Sequence, residues 1–304
     1  MTLLIAGWIA IDDIETPFTK VTGMLGGSAT PAALAAALFT DVRLLAAIGD
    51  DFPRAELEKF AGRPIDLAGV RVERGTTSRW GGRYSYDMNS RETVYTDIGV
   101  NEGWQPRLPA GWEGSETAIL AALYPALQLE LMAALHSPLA TLVDTIKFYI
   151  DNVPEGVHEA MRKADFVSIN DIEARELAGT PSVAKAARAI VAAGTHTAIV
   201  KLGEYGALCA SRDGDYFVAP GYPLENVVDP TGAGDAFAGA FLGYIDSVRS
   251  ISPSHIRRAM VYGSTVASFQ VEGIGPERLL RLTRREVEER FREFRALTHY
   301  DTGE

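Results

Sequence analysis

The residues best placed to do chemistry in this 304-residue chain lie in the run Val228-Asp229-Pro230-Thr231-Gly232-Ala233-Gly234-Asp235-Ala236-Phe237-Ala238-Gly239-Ala240. A glycine-rich turn there opens a helix, and one carboxylate stands in its first turn. Gly232, Ala233 and Gly234 carry little bulk, so their backbone N–H groups can converge on an oxyanion. The unpaired donors and positive dipole end of the helix add to that attraction. Asp235 then stands where a hydroxyl could lose its proton. A turn that merely caps a helix, with an acid complementing the dipole, explains the same residues. The helix beyond is unusually small-sided, with Ala236, Ala238, Gly239, Ala240 and Gly243 beside an apolar face of Phe237, Phe241, Tyr244 and Ile245. Each interior glycine costs about 1 kcal/mol relative to Ala, so two of them predict close packing against another element.

This segment resembles the C-terminal signature of the ribokinase-like (PfkB) family of carbohydrate and nucleoside kinases. The resemblance implies that Gly232, Ala233 and Gly234 form an anion hole and that Asp235 is the base for the acceptor hydroxyl. Further matches follow in chain order. Gly7 and Asp12 have the spacing of the family's acceptor-binding acid, and Gly26-Gly27-Ser28-Ala29 is similar to its di-glycine. Asn170-Asp171-Ile172-Glu173 resembles its N-x-x-E motif, which implies that Asn170 and Glu173 meet a hydrated Mg²⁺ and the phosphates, while an ordinary helix cap explains them as well. Val200-Lys201-Leu202-Gly203-Glu204-Tyr205-Gly206-Ala207 resembles the strand-turn-strand at the nucleotide, implicating Lys201, Gly203 and Gly206 along with Thr231 in binding ATP. The loop Glu272-Gly273-Ile274-Gly275-Pro276 falls where the family forms part of its adenine pocket. Asp229 and Thr231 match positions that hold a monovalent cation such as K⁺ in some members. Pro31 departs from the pattern, standing where a hydroxyl-binding Asn is common. Asp144 ends an apolar strand, where ligands enter open α/β sheets, and Arg83 is placed to reach down from the lid; both are expected at the acceptor.

Short β-type runs alternate with helix-type stretches, the pattern of a parallel sheet covered on both faces. Strands are predicted at Leu3–Trp8, Val42–Ile48, Thr117–Ala121, Thr141–Asp144, Phe166–Ile169 and Ala198–Lys201, and a hairpin at Ala207–Ser211 and Tyr216–Ala219. Helices are predicted at Thr30–Phe39, Arg54–Phe60, Pro125–Leu135, Ile172–Leu177, Val183–Ala193, Ala236–Ser247, Pro253–Phe269 and Arg284–Leu297. From Thr77 to Ile98 alternation puts Trp80, Tyr84 and Tyr86 on one parity and Arg79, Arg83 and Ser85 on the other, which predicts antiparallel strands around Met88-Asn89-Ser90. In the resembled family such an inset is a lid over the acceptor that often mediates a homodimer.

Composition bounds the rest. With 47% hydrophobic and 23% charged residues the chain can bury a large core. A net charge of −11 and a pI near 5.0 disfavour nucleic acid and anionic membrane as partners. The single cysteine, Cys209, excludes an internal disulfide, and the five histidines have no ligand spacing. No P-loop, H-E-x-x-H or G-x-S-x-G occurs. The apolar start has no basic leader and meets Asp12 and Asp13, as a first strand would, so a cytoplasmic protein is expected.

The expected fold is therefore α/β: a ribokinase-like three-layer α/β/α sandwich over residues 1–304, with a mostly parallel central sheet and a small β-sheet lid inserted from about 13–22 and 71–100. The expected activity is transfer of the ATP γ-phosphoryl, with Mg²⁺, to a hydroxyl of a small sugar. A nucleoside kinase and a non-catalytic nucleotide- or sugar-binding sensor are the alternatives.

Overall fold

A computed structural model describes residues 2–299. Its first half runs β1 (Thr2–Ala6), β2 (Ala10–Glu15), β3 (Lys20–Gly26), α1 (Ala29–Ala36), β4 (Asp41–Gly49), α2 (Arg54–Glu58), β5 (Ile65–Glu73), β6 (Arg79–Tyr84), β7 (Arg91–Asp97), β8 (Thr117–Leu120) and α3 (Pro125–Ala134). There follow β9 (Ala140–Val143), α4 (Lys147–Asn152), α5 (Pro154–Lys163), β10 (Phe166–Asn170), α6 (Asp171–Ala178), α7 (Val183–Ala192) and β11 (Thr197–Lys201). The last third holds β12 (Ala207–Ser211), β13 (Tyr216–Ala219), α8 (Ala233–Val248), α9 (Pro253–Gln270), α10 (Glu277–Arg281) and α11 (Arg284–Thr298).

Nine strands form one sheet in the order β13-β12-β11-β10-β9-β8-β1-β4-β5. Pairing is parallel from β11 through β5, and β12 and β13 add an antiparallel edge. Parallel strands covered on both faces read as near-continuous apolar runs, and β8 and β9, apolar but for Thr117 and Thr141, are buried throughout. Alternation then sorts their side chains into two cores. Leu3, Ile5, Leu44, Ile119, Phe166 and Ile199 meet α1, α8 and α9 on one face. Leu4, Leu45, Leu120, Val143, Val167 and Val200 meet side chains of α3 to α7 on the other. The result is the expected α/β/α sandwich. No helix among the described residues is long and apolar enough to cross a membrane.

Strand β5 is absent from the sequence-based set because its alternation is broken. Gly69 sits under the Trp112 ring, and the pairing with β4 shifts register between Arg43 and Leu45. Helices α4 and α5 were likewise not expected.

The small sheet has four strands in the order β3-β2-β6-β7. β2 pairs antiparallel with β3 and parallel with β6, and β6 pairs antiparallel with β7. Its strands span 10–26 and 79–97, whereas the inset was expected at 13–22 and 71–100; residues 71–73 belong to β5 of the large sheet.

What positions the start of α8 is its contact with α1. Every residue of α1, Ala-Thr-Pro-Ala-Ala-Leu-Ala-Ala, is buried. Gly239 and Gly243 face Ala32 and Ala36, one turn apart on both helices. A Cβ on Gly239 would overlap the Ala32 carbonyl, so the two backbones touch there directly. Gly239→Ala gains about 1 kcal/mol of helix propensity, but overpacking against a carbonyl that cannot move costs about 1–3 kcal/mol. We expect a net destabilisation of up to about 2 kcal/mol in denaturant unfolding; a midpoint above that of the wild type would contradict this packing.

Candidate active site

Asp229-Pro230-Thr231-Gly232 makes a turn that delivers the chain to α8. Gly232 is the N-cap residue with φ +76°, a conformation that favours glycine, and a Cβ there would stand 3.0 Å from Pro31. Ala233 N–H already donates to the Pro230 carbonyl at 3.2 Å, and the first intrahelical bond runs from Ala236 N–H to the Gly232 carbonyl at 2.8 Å. Among the described residues, the backbone N–H groups of Gly232, Gly234 and Asp235 have no protein acceptor. The donors free to meet an anion thus include Asp235, while that of Ala233 is engaged. The buried Asp229 holds the turn: its Oδ1 accepts Thr231 N–H and its Oδ2 accepts Gly275 N–H, both at 2.9 Å.

The Asp235 carboxyl lies among buried charges. Its pKa is raised to about 7, first by burial and then by Asp144, with Lys201 and Arg91 opposing. Lys201, at the end of β11, donates to Asp144 Oδ2 at 2.8 Å. Asp144 Oδ1 accepts the Thr145 N–H at 2.8 Å. Burial acts to lower the Lys201 pKa, but Asp144, Asp235 and Glu173 together outweigh it and hold the ammonium above its ordinary value. Asp144, expected at the acceptor, has both oxygens engaged within the protein, by Lys201 and by the Thr145 N–H.

Asn170 and Glu173 form a reciprocal capping box. Asn170 Oδ1 accepts Glu173 N–H at 2.9 Å, and Glu173 Oε2 accepts Asn170 N–H at 3.0 Å. The cap and the site are the same residues, because Glu173 is buried and pushed up to about 7 by burial and then by Asp144. No cluster of three or more His, Cys, Asp or Glu among the described residues could hold a metal directly. Three acids around one ammonium leave the cleft rich in negative charge, and Glu173 Oε1 accepts no protein hydrogen bond among the described residues. That donor set fits a hydrated Mg²⁺ held through water.

On the acceptor side, Asp12 is buried and its pKa is raised to about 7 by burial, against the stabilising Gly27 N–H. Asp12 Oδ2 accepts that N–H at 3.2 Å, and Oδ1 is buried with no partner. The di-glycine explains the seating: a Cβ on Gly26 would overlap Asp12 Oδ2, and Gly27 has φ +80°. Asp12 pairs in register with Met24 and Trp80, so these three share the inner face of the small sheet. Ile14, Tyr84 and Met88, with Met24, Trp80 and Val227, form an apolar cluster there.

Arg83 is a correction. It lies on the opposite face of the small sheet, exposed, with Nε 3.0 Å from Glu15 and Nη1 3.8 Å from Glu92. The cation on the inner face is Arg91, itself exposed to solvent but opposite Tyr84 in register and with its guanidinium 5.0 Å from the Trp80 ring centroid. Its charge acts to lower the pKa of Asp12, Glu173 and Asp235. The parity that set Arg83 apart from Trp80 and Tyr84 was the available signal. Tyr84 was also missed as a site residue: the Thr231 hydroxyl donates to its hydroxyl at 3.1 Å. At the far end, Gly203 and Gly206 close a tight turn, where Leu202 N–H donates to the Gly206 carbonyl at 2.7 Å. The hairpin tip rests on that turn, with Asn89 Nδ2 donating to Glu204 Oε1 at 3.0 Å.

Comparison with known proteins agrees with this geometry. A family model described as "pfkB family carbohydrate kinase" matches residues 12–280. The chain is 30% identical over 251 residues to a cytidine kinase of Thermococcus kodakarensis, covering 80% of this chain and 88% of that one. It is 28% identical over 276 residues to a deoxyribokinase of Salmonella typhi, covering 88% and 87%. The fold is similar to that of a Burkholderia thailandensis nucleoside kinase in complex with inosine, with a TM-score of 0.78, 22% identity and coverage of 96% and 97%. It is also similar to that of a Thermotoga maritima ribokinase, with a TM-score of 0.75, 21% identity and coverage of 96% and 99%.

Asp12, Glu173 and Asp235 have pKa values near 7 in the folded chain, above the ordinary carboxylate range. The folded state therefore keeps protons that the unfolded chain releases. Stability from this source is fully present below about pH 4 and is lost as pH rises towards about 7. Asp235→Asn carries no charge to desolvate, so it should unfold at a higher temperature than wild type at about pH 8 and show a flatter pH slope. An unchanged midpoint there would place the carboxyl in water.

Proposed function

Because the chain belongs to the PfkB family of carbohydrate kinases, a family of phosphotransferases acting on sugars or nucleosides, we propose that it moves the γ-phosphoryl group of ATP to a pentose hydroxyl of a nucleoside. The observation that carries the acceptor is the setting of Asp12. Its one unpaired buried oxygen faces an apolar, aromatic lid wall of Met24, Trp80, Tyr84 and Met88. A free sugar presents hydroxyls all round and needs a polar partner for each. A nucleoside presents a hydroxylated ring on one side and a flat base on the other. Pro31 offers no side-chain donor, which fits the second better. The likeness to a cytidine kinase supports this reading. The small sugar expected from the sequence is the second reading, favoured by the deoxyribokinase likeness.

In the proposed reaction Asp12 Oδ1 accepts a hydrogen bond from the acceptor and fixes its orientation. Asp235, with a pKa near 7, takes the proton of the attacking hydroxyl. The free N–H groups of Gly232, Gly234 and Asp235, with Lys201, neutralise charge on the transferring phosphoryl. Arg91 brings a second cation from the lid. Mg²⁺, held through water near Asn170 and Glu173, would supply charge neutralisation to the phosphates. Tyr84 and Thr231 join lid to turn, so closure excludes water as a competing acceptor. The exposed Phe18, Tyr86 and Val94 of the lid support a homodimer through it.

Asp235→Asn should lower turnover by roughly 10²–10⁴-fold with ATP binding retained; near-normal turnover removes its role as base. Arg91→Ala should lower kcat/KM roughly 10–100-fold, the worth of a charge-assisted hydrogen bond, while Arg83→Ala stays within about twofold. Equal losses would mean that the lid face is assigned wrongly. A panel of pyrimidine and purine nucleosides beside ribose, deoxyribose and hexoses, read by ADP release, decides the acceptor. Higher kcat/KM for a free sugar than for any nucleoside overturns the nucleoside reading. Nucleotide or sugar binding with no acceptor-dependent ADP release would favour the sensor.

A further inference from the structure

Asp229 and Thr231 match positions that hold a monovalent cation in some relatives, but the groups such an ion needs are already engaged here. Both Asp229 oxygens accept backbone N–H groups, from Thr231 and Gly275. Gln270, in the last turn of α9, is 1% exposed and points into the same place. Its Nε2 donates to the Thr231 carbonyl at 2.8 Å and to the Gly275 carbonyl at 2.8 Å. An amide nitrogen with two protons satisfies two acceptors and no more. Its Oε1 is buried with no partner, so a flipped amide would set an oxygen against two carbonyls. A Cβ on Gly232 would lie 3.5 Å from Nε2, so the amide also adjoins the turn that presents the free N–H groups.

We infer that the Gln270 side-chain amide stands in for a monovalent cation, tying the Thr231–Gly232 turn to the Gly275 loop, and that nucleotide binding by this protein is indifferent to K⁺. A cation between two carbonyls neutralises their partial charges and fixes their separation, and two N–H bonds do the same without an ion. Four hydrogen bonds then make the junction, two given by Gln270 and two received by Asp229, and those from Gln270 to Thr231 and from Gly275 to Asp229 cross between the loops. Gln270 is on this account a positioning residue. It holds the carbonyl of Thr231, and so the register of the next amide, without touching substrate. The inference rests on nucleotide binding at this turn and is independent of the acceptor.

The test is calorimetric titration with a non-hydrolysable ATP analogue, and thermal unfolding, in KCl and in tetramethylammonium chloride at equal ionic strength. Wild type should bind with affinities within about twofold of each other in the two salts, with equal unfolding midpoints. Gln270→Leu leaves two buried carbonyls unpaired and should lose roughly 10-fold in affinity in tetramethylammonium. Gln270→Glu should lose as much there and regain most of it in KCl, because a carboxylate and two carbonyls form a cation site. No binding of the analogue to wild type in either salt would refute the nucleotide reading itself. Binding by wild type that strengthens about fivefold or more with K⁺ would overturn the inference, whether or not the variants fold. So would a Gln270→Glu variant that KCl does not rescue, or variants unaffected in tetramethylammonium.

Discussion

The crowding of carboxylates around one ammonium is the constraint on which the rest of the structure depends. Asp144, Glu173 and Asp235 surround Lys201 in a cleft shielded from water, and only one of these acids bonds directly to the ammonium. Burying charge is unfavourable unless it is paired, so the other two hold their protons far more tightly than free carboxylates do. The protein's own groups therefore leave the charge of the cleft unfinished, and a ligand that brings cations with it would complete the balance. The two cores, the all-buried α1 and the glycine face of α8 serve to hold that unfinished charge in place.

The two sheets divide the work. The large one ends its strands at the buried charge cluster, where Asp144 follows β9 and Lys201 closes β11. Parallel strands place their carboxyl ends together, so residues far apart in sequence meet without long loops. The small sheet carries Asp12 and the apolar wall, and its mixed pairing turns one face inward and the other to solvent. Charged residues on the outer face pair with one another, as Arg83 does with Glu15, and so take no part inside.

Most of the architecture was legible because period and punctuation are local properties. Strands β1, β4 and β8 to β11 are predominantly apolar runs, with Thr117, Thr141, Ser168 and Thr197 the buried polar exceptions in β8 to β11, and the helices that open with Pro125 and Pro253 begin where proline is tolerated. The close packing of α8 could also be read in advance, from Gly239 and Gly243. What escaped depended on partners elsewhere in the chain. β5 lost its alternation to Trp112, more than forty residues away in sequence. Arg91 and Arg83 look alike until a register is known, and only the pairing with Tyr84 turns one of them inward. Gln270 sits in an apolar helix as an unremarkable amide until the Thr231 and Gly275 carbonyls are brought to it. Asp144 was recognised as a strand-end acid, but its pairing with Lys201 was not, because Lys201 comes from a strand that sequence does not bring to it.

The resting place of the Asn89 tip on the Gly203–Gly206 turn has a bearing on how a finished molecule departs. The hairpin spans the cleft from the Asp12 end to the turn at the other, and it is pinned at Tyr84–Thr231 and again at Asn89–Glu204. Neither pin holds strongly by itself: an ordinary hydrogen bond contributes about 0.5–1.5 kcal/mol, and the tip is exposed to water. Both must let go before anything seated beneath the strap can escape. On the proposed reaction, exit from either end would be gated by the same swing, and spent nucleotide and phosphorylated product would share a single door.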